Sequence, residues 1–277
     1  GLSIAQIIYL LPIGIFAMSI VSSDLPELSR DQKDISKVIN RLEISQERLI
    51  FYVAFSAVVF FSIGKPMIGA LFERGDFTEE DTFFVWLILC AYSFGLVTSS
   101  VSRLFQNVCY AGGDTKGPAK FAALRVCISG AIGVILMFQF DRFAINVDEI
   151  VRIGDLPVFK PLPESIRSTD MGPQALGAVG LALGSACGSW IEYARLKKRL
   201  VRILPSGYQL PNPLAKLFIP LLVSGLIGGT LAWVFDGVHN LILGPSLLAL
   251  TGITYVYLSY LRGSSPAKEL LRLTKLQ

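Results

Sequence analysis

The stretch LFERGDFTEEDT, residues 71–82, separates two long apolar runs and decides how the chain folds around it. Gly75 can turn the backbone, and Thr78 or Thr82 can cap the helix that follows. Glu79, Glu80 and Asp81 would then lie in the first turn of that helix, where the positive end of the helix dipole favours acidic side chains. On physical grounds the stretch is a short loop between two packed helices.

The composition on either side of this loop is that of a membrane protein. Of 277 residues, 52% are hydrophobic and 17% are charged, and the mean hydropathy is +0.57. Soluble domains carry about 25% charged residues. We therefore predict an all-α fold, a polytopic membrane bundle of about seven transmembrane helices, each long enough to cross ~30 Å of hydrocarbon. The predicted spans are 4–21, 49–71, 83–104, 119–138, 176–193, 214–235 and 241–261.

The loops carry an orientation signal, since lysine and arginine concentrate in four of them. These are residues 22–47, the turn with Lys116 and Lys120, the connection 195–216 and the C-terminal tail. The positive-inside rule places them on the cytoplasmic side, with the N-terminus outside and the C-terminus inside. Residues 139–172 become an extended external loop. Residues 22–47 have near-helical apolar spacing and predict an amphipathic helix on the cytoplasmic face.

Several functional classes are disfavoured by the residue inventory. The net charge of +4 follows from the loop lysines and arginines and does not indicate nucleic-acid binding. His239 is the only histidine, and the four cysteines show no metal-ligand spacing. Buried free thiols are expected, with no metal and no cofactor. We see no external Ser/His/Asp set and no phosphate-cradling glycine loop, so an enzyme is not expected.

Four further stretches occur in a fixed order around LFERGDFTEEDT. They are AQIIYLLPIGIF at 5–16, LPELS at 25–29, YAGGDTKGP at 110–118 and GAVGLAL at 177–183 followed by Trp190. With this order and spacing the chain resembles the MurJ/MviN lipid II flippases of the MOP exporter superfamily. The likeness runs from about residue 5 to residue 200. Residues 214–261 match that family only in position and hydrophobicity.

The resemblance implies a domain arrangement. Residues 1–200 would form the second lobe of a flippase from its eighth helix onward, with five spans and the external loop 139–172. Residues 201–277 would add two C-terminal helices, which in the family form a groove for the lipid tail, and a cytoplasmic tail. The chain lacks an initiating Met, and an outside N-terminus is natural if an odd number of helices precedes it. We therefore expect the N-terminal lobe of the same protein as a partner.

The resemblance also implies a transporter of the bacterial cytoplasmic (inner) membrane. It would move lipid II, the lipid-linked peptidoglycan precursor needed for cell-wall biogenesis and cell shape, by alternating access. A pyrophosphate cannot cross hydrocarbon unpaired, and a cationic cavity between two lobes solves that problem. Alternatives are a flippase for another polyprenyl-linked glycan or amphiphile, or a non-transporting scaffold for cell-wall synthesis proteins. Lipid II-like molecules and membrane lipids are the expected partners, and nucleic acid is not.

Some family positions are altered in this chain. Gln6 and Ile7 replace an Asp-Arg pair whose Arg is held to bind pyrophosphate, and Ser129 and Gly133 replace sodium ligands. The candidate substrate-binding residues are then Gln6 and the intramembrane cations, since a charge within a span marks a functional site by default. Those cations are Arg125, Arg103 and Lys65. Snorkelling to the interface is the alternative for Lys65 and Arg103.

The remaining candidates lie in the two motif turns. Glu73, Arg74 and Gly75 form a structural or gating motif in the first. Asp114, Thr115, Lys116 and Pro118 form another in the second, where Asp114 is expected as a helix cap rather than a gate. For Glu192 we expect an i,i+3 ion pair with Arg195, with proton coupling as the alternative.

Overall fold

The computed structural model describes residues 1–20, 35–146, 149–153, 174–205, 208–235 and 237–274. The helices are α1 (Leu2–Pro12, extended by a π-helical segment Ile13–Ala17), α2 (Ile35–Ser62), α3 (Gly64–Phe72), α4 (Glu79–Ser93), α5 (Leu96–Ala111), α6 (Lys116–Phe140), α7 (Gly177–Ile203), α8 (Pro213–Val234), α9 (Asn240–Leu261) and α10 (Ser265–Thr274). Three short strands separate α6 from α7: β1 (Phe143–Asn146), β2 (Glu149–Arg152) and β3 (Gln174–Ala175).

The prediction of a polytopic helical membrane protein is confirmed. Within the described residues five helical stretches are long and apolar enough to cross a membrane, and the bent pair α4–α5 makes a sixth if it counts as one span. The other predicted span, 176–193, lies in α7, which has 27 residues but is less apolar than the six. A count of seven spans therefore stays a prediction.

The predicted second span is divided between α2 and α3. Helix α2 ends at Ser62, four residues before Pro66, whose missing N–H cannot bond the Ser62 carbonyl. At this break the indole Nε1 of Trp86 donates to the carbonyl oxygen of Phe60 at 3.0 Å. An interior break is tolerated in a membrane when other groups satisfy the freed backbone, and Trp86 does so for the Phe60 carbonyl.

The predicted third span bends by 42° between α4 and α5. The indole Nε1 of Trp190 donates to the carbonyl oxygen of Phe94 at 2.9 Å. The hydroxyls of Thr98 and Ser189 donate to the carbonyl of Gly95 at 3.1 and 3.3 Å. A tryptophan therefore satisfies a backbone carbonyl at each of the two breaks, and both tryptophans belong to neighbouring helices.

The amphipathic surface helix predicted for residues 22–47 is wrong in its second half. Residues 21–34 lie outside the described part of the chain. From Ile35 onward the chain already belongs to α2, where Leu42, Ser45 and Gln46 are buried in the bundle. Leu42 is buried and Val38 and Ile39 are half-buried, whereas Ile35 and Ile44 are exposed, so the apolar pattern reports partial burial against other helices.

The loop between α6 and α7 contains a small antiparallel sheet of order β2-β1-β3. Phe143 pairs with Arg152 and Ala144 pairs with Ala175. The predicted all-α fold is confirmed for the bundle, and this sheet adds to it. All four cysteines are free, but Cys127 and Cys187 are exposed, so the expected burial is wrong for these two.

Helices α6 and α7 pack through glycines spaced four residues apart on α7. A Cβ on Gly180 would lie 2.6 Å from the carbonyl oxygen of Leu136. One on Gly184 would overlap the backbone of Gly133, and one on Gly188 would overlap the hydroxyl of Ser129. This spacing lets two membrane helices approach closely, as small-xxx-small faces do. Apart from this seam α6 is little covered within the described bundle, with only Pro118 and Gly133 buried.

Substituting the central glycine of this seam should separate the two helices. We expect Gly184→Ala to lower stability by about 1–3 kcal/mol, the usual cost of overpacking a tight contact. The matched control is Gly130→Ala on α6, where an added Cβ meets nothing within 4 Å and alanine is the better helix former. Thermal unfolding in detergent measures both variants. Equal stability of the two would contradict the close packing described here.

Candidate functional site

Helix α1 presents the altered family positions on an exposed face. Ile7 is 61% exposed and Gln6 is exposed beside it, whereas Ala5, Ile8 and Pro12 are buried on the opposite side. The buried side packs against α4 and α5: Tyr9 stacks on Tyr92 with ring centroids 5.0 Å apart. A partner or a cavity can reach Gln6, but its amide supplies no positive charge for an anion.

Arg103 on α5 lies beside Met18, directly after the π-helical extension of α1. One guanidinium nitrogen lies 3.5 Å from the sulfur of Met18. Within the described residues no carboxylate pairs with Arg103. Gln6 and Met18 are twelve residues apart, about 18 Å along a helix at 1.5 Å per residue. The structure therefore does not bring Gln6 and Arg103 together.

Arg125 belongs to a buried network across three helices. Its Nη1 donates to Glu192 Oε2 at 2.8 Å. Gln106 Nε2 donates to Glu192 Oε1, also at 2.8 Å. The Glu192 side chain is 2% exposed and that of Arg125 is 28% exposed. The expected Glu192–Arg195 pair is wrong, because a carboxylate at this depth is stabilised by the cation that α6 brings to it.

Lys65 on α3 is also neutralised within the chain. Its ammonium lies 3.1 Å from Glu79 Oε1 and 5.8 Å from the ring centroid of Phe83. It lines a cavity of about 220 Å³ at the end of the bundle that carries the 71–82 loop. Glu73 and His239 share that cavity. Lys65 is remote from Arg103 and Arg125, which lie toward the other end.

The 71–82 loop is fixed by local bonds and by one distant bond. Thr78 caps α4: its Oγ1 accepts from the Asp81 N–H at 3.3 Å, and Asp81 Oδ2 accepts from the Thr78 N–H at 3.0 Å. Gly75 has φ +64°, a left-handed conformation that favours glycine. Glu73 Oε2 accepts from Asn240 Nδ2 at 2.8 Å, which ties the loop to the start of α9. Arg74 is exposed.

The second motif turn joins α5, α6 and α7. Asp114 Oδ1 accepts from the Gly117 N–H at 3.1 Å, in the first turn of α6. Its Oδ2 accepts from Arg199 Nε of α7 at 2.8 Å. Both bonds, that of Arg199 first, hold the pKa of Asp114 below its ordinary value. Thr115 makes no side-chain capping bond and Pro118 is buried, while Lys116 is exposed. Asp114 thus caps the start of α6 and bonds the end of α7.

These turns define two ends of the bundle. The basic face is the end formed by the start of α2, the Asp114 turn, the end of α7 and α10. Arg48 bonds Glu269 of α10 at 3.0 Å, and Tyr208 donates to Glu43 at 2.6 Å. The sequence grouped these segments on one side, and their contacts agree with that grouping. The cytoplasmic location of the basic face stays a prediction.

Sequence reasoning did not find Gln106, the two tryptophan bonds, or the Glu73–Asn240 bond. Only the depth of Glu192 in a predicted span could have indicated that it needs a cation partner. Which helix supplies the partner depends on packing, because Arg125 and Glu192 are 67 residues apart.

Comparison with known proteins identifies one family. The family model described as "Lipid II flippase MurJ" matches residues 1–149. A "Probable lipid II flippase MurJ" of Rhizobium tropici is 31% identical over 138 residues, covering 49% of this chain and 26% of the relative. A "Lipid II flippase MurJ" of Thermosipho africanus is 33% identical over 173 residues, covering 52% of this chain and 35% of the relative. In these alignments the chain spans about a quarter to a third of the relatives' length.

A solved structure extends the likeness in fold. It is titled "Lipid II flippase MurJ, inward closed conformation", and superposes with a TM-score of 0.66 at 21% sequence identity. The match covers 94% of this chain and 46% of that one. Since the coverage exceeds that of the sequence matches, the similarity of fold extends well beyond residues 1–149.

Removing both members of the buried ion pair should lower the stability of the protein by less than the two single removals added together. We expect Glu192→Ala or Arg125→Ala to destabilise the protein by about 3–5 kcal/mol, because each leaves a charge uncompensated at depth. The double variant should be more stable than the sum of the single effects implies. Thermal unfolding in detergent of the four proteins gives the coupling. Additive single effects would show that the pair contributes no coupling.

The Asp114–Arg199 bond should make stability depend on pH. Because the folded-state pKa of Asp114 is lowered, its contribution is present above the unfolded value of about 3.9 and is lost as pH falls through the folded value. We expect Asp114→Asn to unfold at lower temperature than wild type at pH 6, and the gap to shrink below pH 4. A gap unchanged down to pH 3 would contradict this assignment.

Proposed function

The chain belongs to the MurJ lipid II flippase family, whose model matches more than half of it, and we propose that it forms the second lobe of a lipid II flippase. This lobe begins at the eighth helix of the intact protein and pairs with an N-terminal lobe. Residues 1–200 are the lobe proper, and residues 201–277 add the last two membrane helices. The protein lies in the bacterial cytoplasmic membrane with its C-terminus inside. It is a transporter and not an enzyme.

The observation that carries this proposal is Arg103, a cation beside Met18 with which no carboxylate pairs in the described part of the chain. A pyrophosphate in a membrane requires a positive partner, since burying unpaired charge costs several kcal/mol or more. Of the three candidate cations, Lys65 is neutralised by Glu79 and Arg125 by Glu192. Among the described side chains, Arg103 has the sulfur of Met18 as its polar partner. It is therefore the cation able to accept an anion without breaking an existing ion pair.

Arg125 has a conditional role in this mechanism. Its side chain is 28% exposed, so an anion can approach it from the uncovered side of α6. A phosphate that engaged Arg125 fully would compete with Glu192, and Glu192 would then keep only the bond from Gln106. We assign Arg103 the first contact with the pyrophosphate and Arg125 a contact made when the lobes change arrangement. No covalent bond changes, and alternating access moves the head group.

The lipid tail would remain in the bilayer along α8. An open apolar groove of about 620 Å³ runs between α8 and the helices α2 and α4. Gly225 and Gly229 leave its floor flat, and Phe61, Leu226 and Trp233 form its walls. Gly228, which lies between these two glycines in sequence, instead packs against Thr251 and Ile63. Of these three glycines of α8, two therefore line the groove.

A second candidate function is transport of a lipid-linked molecule other than lipid II. Gln6 and Ile7 on the exposed face of α1 favour it. An amide and an aliphatic side chain replace the family's charged pair at this face, and that exchange changes which head groups are recognised. Another polyprenyl-linked glycan would keep the pyrophosphate and the tail and differ in the sugar.

The test is a charge series at Arg103 in the intact protein. We expect Arg103→Ala to lower lipid II binding and translocation about 10- to 100-fold, the loss of one charge-assisted contact. Arg103→Lys should retain part of the activity. The control is Arg48→Ala, which removes an exposed arginine of the basic face that bonds Glu269 and should behave as wild type.

The same assays separate the candidate functions. Normal transport by Arg103→Ala would overturn the role of this residue. Tighter binding of a different polyprenyl-linked glycan than of lipid II would favour the second candidate. Support of growth by a variant that no longer moves any such lipid would favour a scaffold instead.

A further inference from the structure

A second cavity, of about 340 Å³, lies between α2, α5, α7 and the segment before α8. Ile50 of α2 forms one wall, and Val97, Val101 and Phe105 form a stripe of α5 along its floor. Its lining is predominantly apolar, and its size lies within the range of ligand pockets. It shares no lining residue with the groove on α8.

The cavity lies on the side of α5 that faces away from α1. Ser99 and Arg103 of α5 contact Tyr9 and Met18 of α1. At 3.6 residues per turn, Val101 lies about 200° around α5 from each of them. An occupant of this cavity would therefore not compete for the substrate contacts proposed at Arg103.

One wall carries the side chains that membrane proteins place at an interface. Trp190, Tyr193 and Lys197 follow one another on a single face of α7. The rings of Trp190 and Tyr193 are 6.4 Å apart in an edge-on arrangement, and the Lys197 ammonium lies 6.0 Å from the Tyr193 centroid. Tyr193 followed by Lys197 marks the level where hydrocarbon gives way to head groups, and Trp190 lies deeper, where its indole bonds the Phe94 carbonyl.

The length of the cavity matches one leaflet. From Val97 to Phe105 it follows α5 for about 12 Å at 1.5 Å per residue. Half of a ~30 Å hydrocarbon core is about 15 Å. Its inner end is at Phe94, at the bend between α4 and α5, and its other end is at Lys197 and Asn212 on the basic face.

We propose that this cavity holds one acyl chain of an anionic phospholipid from the leaflet at the basic face, with the lipid phosphate on Lys197. No carboxylate in the described part of the chain pairs with Lys197, and its neighbours Arg195 and Lys198 are exposed cations. Their charge favours an anionic head group, and basic sites at a membrane face bind such lipids. The occupant is a lipid of the surrounding bilayer, whatever cargo the protein moves.

The test uses the intact protein in detergent, with phosphatidylglycerol and phosphatidylcholine of identical acyl chains as probes. Native mass spectrometry measures the lipid retained. We expect phosphatidylglycerol to bind about five-fold tighter than phosphatidylcholine, the effect of one lysine near the surface. Lys197→Gln should remove that preference. Lys198→Gln, an adjacent exposed lysine that does not line the cavity, should keep it.

A filling variant tests the apolar part of the site. Val101→Trp should abolish retention of both lipids by occupying the cavity, while Lys197→Gln, at an exposed position, tests the site without disturbing the core. Equal retention of both lipids by wild type would overturn the proposal, as would equal losses in Lys197→Gln and Lys198→Gln. One-for-one displacement of phosphatidylglycerol by lipid II would also overturn it, since the cavity would then belong to the substrate path.

Discussion

The fold depends on satisfying backbone polar groups where a membrane supplies no water to do so. Two of its spans are broken, at Ser62–Gly64 and at Phe94–Gly95. At each break a tryptophan from another helix donates its indole N–H to the exposed carbonyl. These bonds satisfy the Phe60 carbonyl at the first break and the Phe94 carbonyl at the second, where α4 and α5 turn by 42°. A carbonyl left unpaired in hydrocarbon would cost several kcal/mol. Phe94 and Trp190, which meet at this bend, also line the cavity between α2, α5 and α7.

Charged side chains inside the bundle also need hydrogen-bonding partners. Glu192 is nearly inaccessible, and the two bonds from Arg125 and Gln106 make its burial tolerable. That pairing couples α5, α6 and α7, and of the three candidate cations Arg103 alone has no carboxylate partner among the described residues.

The last helices are attached to the rest of the bundle by long-range contacts at both ends and in the middle. Asn240 bonds Glu73 at one end, and Glu269 bonds Arg48 at the other. Between them Tyr255 stacks on Phe55 and donates its hydroxyl to the Phe51 carbonyl at 2.8 Å. The groove proposed for the lipid tail lies between α8 and the earlier helices α2 and α4.

The sequence by itself determined that the chain folds as membrane helices and where the 71–82 loop turns, because hydrophobic runs, Gly75 and the capping threonine act over a few neighbouring residues. It did not show that two of the spans are broken. It also indicated that charges at depth needed partners. Only the tertiary structure decided who those partners are: Glu192 joins Arg125 across 67 residues and not Arg195 across three, and Trp190 reaches Phe94 across 96. The reason is physical. A buried charge or carbonyl accepts whichever complementary group packing brings within about 3 Å, and packing distance is unrelated to distance along the chain.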